Sequence, residues 1–172
     1  MTTVGRGAEP RSPISDEEVL ENARAAAAEL RAQIDQQLRT ADSLDTRATA
    51  LLTVGAGAVA LIAGRLTVET DLHRLAGVAF GAAALWLIAS CLGALSSRRV
   101  FAYGADADAL VPELEHHSTA VIALTIAKAL RDARNKNIAP IGAKHRWYRS
   151  AAAALFVLGM TIASLFSVGA IK

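Results

Sequence analysis

The chain has 172 residues, of which 53% are hydrophobic and 5% aromatic, and its mean hydropathy is +0.33. This apolar content is high for a soluble domain, and the excess of alanine and leucine favours helices over strands. The single cysteine excludes an internal disulfide and a cysteine-based zinc site, while the formal net charge of +2 gives no indication of nucleic-acid binding.

The first 47 residues are polar overall. Residues 1–14 contain Gly, Pro, Ser and Arg without periodicity, which predicts a disordered tail. Ser15, followed by three acidic residues, predicts a helix start, because a Ser hydroxyl caps a free N–H and acids favour the positive end of the helix dipole. We expect residues 15–47 to form a stalk helix whose apolar seam has heptad spacing, with Leu20, Ala27, Ile34, Ala41 and Ala48 in one register. This Ala-rich seam fits equally well an antiparallel helix packed within the chain and an oligomeric coiled coil.

Three uncharged apolar runs predict membrane-spanning helices at residues 48–68, 75–95 and 151–170. The first follows the stalk without a Pro or Gly before Gly55, so the stalk helix is expected to continue into the bilayer. Two Ser and two Arg residues end the second run, and interfacial aromatics precede the third. The expected fold class is an all-α membrane protein with three transmembrane helices and a long N-terminal cytoplasmic helix that packs on a cytoplasmic helical segment.

That cytoplasmic segment is residues 96–150, between the second and third spans. An irregular stretch comes first, and Pro112 indicates the first turn of a helix that extends to about Asn137. Its apolar stretch is too short to cross a bilayer, so we expect this helix to pack on the stalk. The sequence NIAPIG, residues 137–142, predicts a break before the third span.

The distribution of positive charge predicts the orientation. Fifteen of the 18 Lys and Arg residues lie in residues 1–47 and 96–150. Because cytoplasmic loops carry the excess of Lys and Arg, these two regions are expected in the cytoplasm and the C-terminus outside. The predicted location is therefore the inner membrane, as a multi-pass protein.

Small residues recur at four-residue intervals in the spans. Gly77 and Gly81 lie in the second span, and Gly159 and Ala163 in the third. Such ridges let helices approach closely in lipid, where no hydrophobic drive joins them. They predict helix packing, either among the spans of one protomer or between copies of the chain.

No pattern of catalytic residues is present, and we expect no enzyme. The one cluster that resembles a metal site, Glu113, Glu115, His116 and His117, has adjacent histidines that point about 100° apart on a helix, so it is interpreted as solvated surface. Asp106 and Asp108 have no partner that would make them an acid–base pair. We therefore predict no metal and no catalytic residue.

A run of basic residues precedes the third span. It can bind a phosphate group, or it can meet anionic lipid headgroups, worth about 1 kcal/mol per basic residue. The candidate ligand-binding residues are Arg131, Arg134, Lys136, Lys144 and Arg146. Asp45 and Arg47, at the start of the first span, form either a joint between stalk and spans or a polar collar at the membrane interface.

Four stretches of the chain carry a family resemblance: LRTADSLDTRATALL, the two-span hairpin that LSSRR closes, NIAPIGAK and the final span. Together they resemble the Pycsar-type transmembrane effectors of bacterial anti-phage defence, and SLATT-like effectors share the arrangement. The best local match is Asp45-Thr-Arg47-Ala48, where the family shows Asp-x-Lys/Arg-Ala. Asn137 and Lys144 give a second match.

The resemblance implies a resting membrane protein paired with a pyrimidine cyclase. A cyclic pyrimidine nucleotide would activate it to impair the inner membrane and stop phage replication, as in abortive infection, and no other cofactor is implied. Self-association through the spans is expected during activation. The alternative function is a non-enzymatic scaffold whose coiled stalk recruits a cytoplasmic partner to the membrane.

Overall fold

The computed structural model describes the chain in four stretches, which are residues 15–64, 71–96, 101–104 and 117–167. Three long helices account for nearly all of them, and no strand is present in these stretches: α1 is Asp16–Ala63, α2 is Asp71–Ser96 and α3 is Thr119–Ser167. The predicted tail, the predicted helix start at Pro112 and the last residues of the first and third predicted spans lie outside the described residues.

Helix α1 joins the stalk and the first span in one element of 48 residues. It begins as predicted, since the Ser15 hydroxyl accepts a hydrogen bond from the Glu18 backbone N–H at 3.2 Å and acidic residues fill the first turn. At 1.5 Å per residue the helix is about 72 Å long. The apolar half therefore extends directly from the charged half.

Buried residues recur every seven positions along both long helices, which is the repeat of a coiled-coil seam. The predicted heptad of the stalk is confirmed, and it continues through the first span. The seam residues are Ala27, Ile34, Ala41, Ala48, Gly55 and Ile62 in α1, and Leu130, Asn137, Lys144, Ala151, Leu158 and Leu165 in α3.

The stalk packs against α3 of the same chain, and the two helices run parallel. Near the start of both, Leu20 and Arg31 line a groove with Thr119 and Ile126. Further along, Ile34 packs with Leu130 in an apolar cluster of the stalk. The expected packing of the later segment on the stalk is confirmed, but the antiparallel direction considered for an intramolecular pair is wrong. α1 and α3 run in the same direction because α2, which lies between them in the sequence, runs antiparallel to both.

The predicted break at residues 137–142 is also wrong, because α3 continues through Pro140 as one helix of 49 residues. A proline inside a helix removes one backbone hydrogen bond and crowds the preceding turn. Here the turns on either side are held by side chains at Asn137 and Lys144, whose contacts are described below. Tertiary contacts therefore outweigh the local preference.

Helix α2 packs antiparallel against the apolar halves of α1 and α3. The close approaches use two glycines: a Cβ at Gly55 would meet the side chains of Leu87 and Leu155, and a Cβ at Gly93 would lie 2.6–2.9 Å from carbons of the Trp147 indole ring. Phe80, Leu87 and Leu158 belong to the core between the three helices.

All three helices contain a stretch long and apolar enough to cross a membrane. In these stretches only 11%, 33% and 22% of the residues of α1, α2 and α3 are buried inside the bundle. The outward faces carry exposed large apolar side chains, which include Val54, Leu61, Leu85 and Phe156. Apolar surface of this extent is typical of contact with lipid. The all-α fold with three candidate spans is thus confirmed.

Candidate functional site: a buried charge pair between stalk and spans

The best-defined polar site is an ion pair between α1 and α3. The Lys144 ammonium donates hydrogen bonds to both carboxylate oxygens of Asp45, with Nζ–Oδ1 and Nζ–Oδ2 distances of 2.7 and 2.6 Å. The Lys144 side chain is 1% exposed and that of Asp45 is 18% exposed. The lysine charge is therefore neutralised within the seam, while the carboxylate keeps some access to solvent.

Residues just after α2 complete the surroundings of Lys144. Its Nζ lies 5.7 Å from the centroid of the Phe101 ring, within the range of a cation–π contact. An ammonium has three N–H donors, and the two Asp45 oxygens accept two of them. Because a buried lysine is costly without such compensation, Asp45 and Phe101 together allow Lys144 to occupy a seam position.

Asn137, one heptad before Lys144, binds residues 101–104, here called the connecting segment, which also contain Phe101. Its Oδ1 accepts from the Ala102 backbone N–H at 2.9 Å, and its Nδ2 donates to the Ala102 carbonyl at 3.0 Å. The Asn137 side chain thus satisfies both backbone groups of one residue outside any helix. It fixes the segment over the seam beside the ion pair.

This site lies where the stalk meets the apolar half of the bundle. Asp45 precedes Ala48, the first residue of the predicted first span, by three residues or about 4.5 Å, and Lys144 precedes Ala151 by seven residues or about 10 Å. Both helices pass this level without interruption. Each helix therefore connects the ion pair directly to its own apolar half.

The sequence predicted a common role for Asp45 and Arg47, but in the structure the two side chains contact different residues. Asp45 pairs with Lys144, while Arg47 is exposed and lines a pocket with His145 and Tyr148 on another side of the seam. The two short matches behind the family resemblance, Asp45 near the first span and Lys144 before the third, meet in one ion pair. The Asn137 contact lies one heptad away.

The five candidate ligand-binding residues do not form one site. Lys144 is buried in its pair with Asp45, and Arg134 donates to the Gln33 Oε1 at 3.0 Å and to its neighbour Asn135. On a helix Lys136 lies about 160° around the axis from Arg134. The remaining two, Arg131 and Arg146, are about 22 Å apart along the axis and exposed.

The predicted small-residue ridges do not pack within the protomer. A Cβ added at Gly77, Gly81 or Gly159 would have no atom within 4 Å, and Ala163 is exposed. Packing inside the bundle uses Gly55 and Gly93 instead, as described above. The sequence contained a signal for Gly55, because it continues the seven-residue register of Ala41 and Ala48.

No group of three or more possible metal ligands exists among the described residues. His117 is exposed, and Glu113, Glu115 and His116 lie outside the described stretches, as do Asp106 and Asp108.

Fold and site together define an all-α protein with three helices that can span a membrane and a polar joint between its stalk and its apolar half. No family model matches the chain, and searches of curated proteins and of solved structures gave no match.

Proposed function

We propose that this protein is a non-enzymatic membrane effector of anti-phage defence. A cyclic pyrimidine nucleotide, made in the cytoplasm by a partner cyclase, binds the stalk and changes the packing of the spans. The altered spans impair the inner membrane and stop phage replication. The nucleotide and the defence role follow from the family resemblance, and the membrane-coupled design is supported by the fold.

One observation carries the proposal: α1 and α3 run unbroken and parallel from the stalk into the apolar half, with Asp45 and Lys144 paired between them. A ligand shifts a conformational equilibrium only by the difference in its affinity for the two states. A ligand that contacts both α1 and α3 in the stalk would bind the two states with different affinity if the spacing or register of these helices differs between the states. Their continuity would carry the change to the spans.

The composition of the spans favours an effector over a coupled transporter. Residues 48–64, 75–95 and 151–167 contain no Asp, Glu, Lys, Arg or His. Transporters and proton pumps use ionisable groups at membrane depth. Damage to a bilayer by rearranged or associated spans requires no ionisable group at membrane depth.

Self-association is part of the proposal. Gly77 and Gly81 on α2 and Gly159 and Ala163 on α3 are left unpacked by the protomer and would let helices of a second copy approach closely. We propose that the activated protein oligomerises through these outward faces.

The direct test uses the purified full-length protein in liposomes loaded with a self-quenching dye. Cyclic CMP or cyclic UMP is added on the stalk side, with cyclic AMP and cyclic GMP as matched controls. Dye release with a pyrimidine nucleotide alone is expected. Absence of release at saturating nucleotide, with correct insertion verified by protease access to the stalk, would overturn the proposed trigger.

The scaffold alternative gives a different result. The apolar seam of the stalk is already covered by α3, so a recruited partner would have to bind the charged outer face of residues 15–47. Stable capture of one soluble protein by this face, without dye release or toxicity on overexpression, would favour the scaffold.

A further inference from the structure

Two pockets adjoin on one side of the α1–α3 seam, just above the predicted membrane boundary. The first, of about 500 Å³, is lined by Gln33, Gln37 and Arg134 among others, and is called the amide pocket. The second, of about 400 Å³, is called the interfacial pocket. Its polar side chains include Arg39, Ser43, Arg47, His145 and Tyr148. Both pockets share Gln36 and Thr40, so they form one continuous groove.

The interfacial pocket is lined by several side chains that can donate hydrogen bonds to an anion. Arg39 and Arg47 from α1 and His145 from α3 contribute its nitrogen donors, and Ser43 and Tyr148 add hydroxyls. Within the described stretches these three nitrogen-bearing side chains make no hydrogen bond or ion pair, and no acidic residue lines the pocket. Guanidinium groups match phosphate oxygens with two parallel donors.

The amide pocket contains an unsatisfied acceptor. Gln37 Nε2 donates to the Arg134 carbonyl at 3.4 Å, but its Oε1 is buried without a hydrogen-bond partner. The Arg134 guanidinium donates to the corresponding oxygen of Gln33 at 3.0 Å and not to the Gln37 Oε1. Buried polar atoms are nearly always paired, so this acceptor leaves a place for a donor from water or from a ligand once the side chain turns toward the pocket.

We infer that the groove binds a phosphate-bearing ligand, with the phosphate between Arg39, Arg47 and His145 and an N–H donor of the same ligand at Gln37 Oε1. Gln37 and Ser43 are six positions apart, so the ligand must span about 9 Å along the helix. A pyrimidine nucleotide whose base carries an amino or ring N–H group has this form. The nucleotide identity rests on the proposed function, whereas the phosphate pocket stands on its own contacts.

A lipid headgroup is a second source of phosphate, because Arg47 immediately precedes the first predicted span and Tyr148 lies close to the third. The test therefore measures binding to full-length protein in nanodiscs by calorimetry, with cyclic CMP, inorganic phosphate and cyclic AMP as probes. One set of nanodiscs contains phosphatidylcholine alone, and a second contains added phosphatidylglycerol. Native mass spectrometry then counts retained phosphatidylglycerol.

The central variant is Arg39→Gln with Arg47→Gln, and its matched control is Lys128→Gln with Arg149→Gln. Both remove two exposed positive charges, but only the first pair lines the groove. We expect the first variant to bind cyclic CMP at least about tenfold more weakly and the control to bind as the wild type does. Gln37→Leu should weaken cyclic CMP binding and leave inorganic phosphate binding unchanged.

Equal losses in the two charge variants, or no loss in the first, would overturn the assigned site. Complete absence of binding by every probe and lipid would do the same. Arginine-dependent retention of phosphatidylglycerol without cyclic CMP binding would support the phosphate pocket and refute the nucleotide trigger. Nucleotide binding that depends on Arg39 and Arg47 but causes no dye release would support the site and refute the effector function.

Discussion

We predict that removal of Asp45 from its ion pair with Lys144 lowers the stability of the protein more than removal of Lys144 does. Asp45→Ala leaves a lysine ammonium that is 1% exposed and keeps its contact with the Phe101 ring. Removing one partner of a buried ion pair costs about 3–5 kcal/mol. Lys144→Met leaves a carboxylate that is 18% exposed and retains access to water, so we expect a smaller cost of about 1–3 kcal/mol.

The measurement is thermal unfolding in one detergent, followed by the helical signal in circular dichroism. For a chain of this size 1 kcal/mol corresponds to about 2–4 °C, so Asp45→Ala should lower the midpoint by about 6–20 °C. Asp42→Ala, an exposed charge on the same helix, is the control and should stay within about 0.5 kcal/mol of the wild type.

The double variant Asp45→Ala, Lys144→Met completes a thermodynamic cycle. Once the lysine is gone, removal of Asp45 no longer leaves a buried charge, so the double variant should be more stable than Asp45→Ala alone. Contacting residues show interaction energies of about 0.5–3 kcal/mol in such cycles. Additive effects of the two single changes, or a larger loss for Lys144→Met than for Asp45→Ala, would refute this account of the site.

Three further predictions concern the packing around the joint. Asn137→Ala removes two hydrogen bonds to one residue of the connecting segment and should cost about 1–3 kcal/mol, with faster hydrogen exchange of amides in residues 101–104. Gly93→Val drives a side chain into an indole ring and should cost about 1–3 kcal/mol, whereas Gly77→Val meets open space in the protomer and should leave the monomer's stability nearly unchanged. Ser90→Cys with Ser150→Cys, in a variant without the native cysteine, should form a disulfide under mild oxidation, because the two hydroxyl oxygens are 2.9 Å apart; persistent free thiols would contradict the packing of α2 on α3.

Much of the architecture could be predicted because it follows from local patterns. The start at Ser15 follows from one side chain and its neighbours, and the seam through Ala27 and Ile34 follows from a seven-residue repeat. The candidate spans follow from the length of the uncharged apolar runs. Each of these signals lies within one continuous stretch of sequence, so no knowledge of the fold was required.

The joint could not be predicted because its partners lie far apart in the sequence. Asp45 and Lys144 are 99 positions apart, and their pairing requires α1 and α3 to be parallel. The basic residues around Lys144 suggested an exposed, ligand-binding side chain, and only the seam register shows that it is buried. Pro140 illustrates the same limit, since a local helix breaker is overruled by contacts made on either side of it.

The stability of the seam and the register of α1 on α3 are two separate properties, and the last prediction tests each of them. Alanine occupies positions 27, 41 and 48 of the α1 seam, and such small side chains fix the register of two helices poorly. A buried polar pair is best attested as a device that sets register. Asp45→Leu with Lys144→Met replaces it by apolar side chains, and similar exchanges in other proteins are neutral or stabilising by about 1–4 kcal/mol. We therefore expect an equal or higher unfolding midpoint, together with a broader distance distribution between spin labels on exposed positions of α1 and α3. A narrow, wild-type distribution would show that the apolar contacts alone fix the register, and the joint would then have no role in the coupling of stalk to spans.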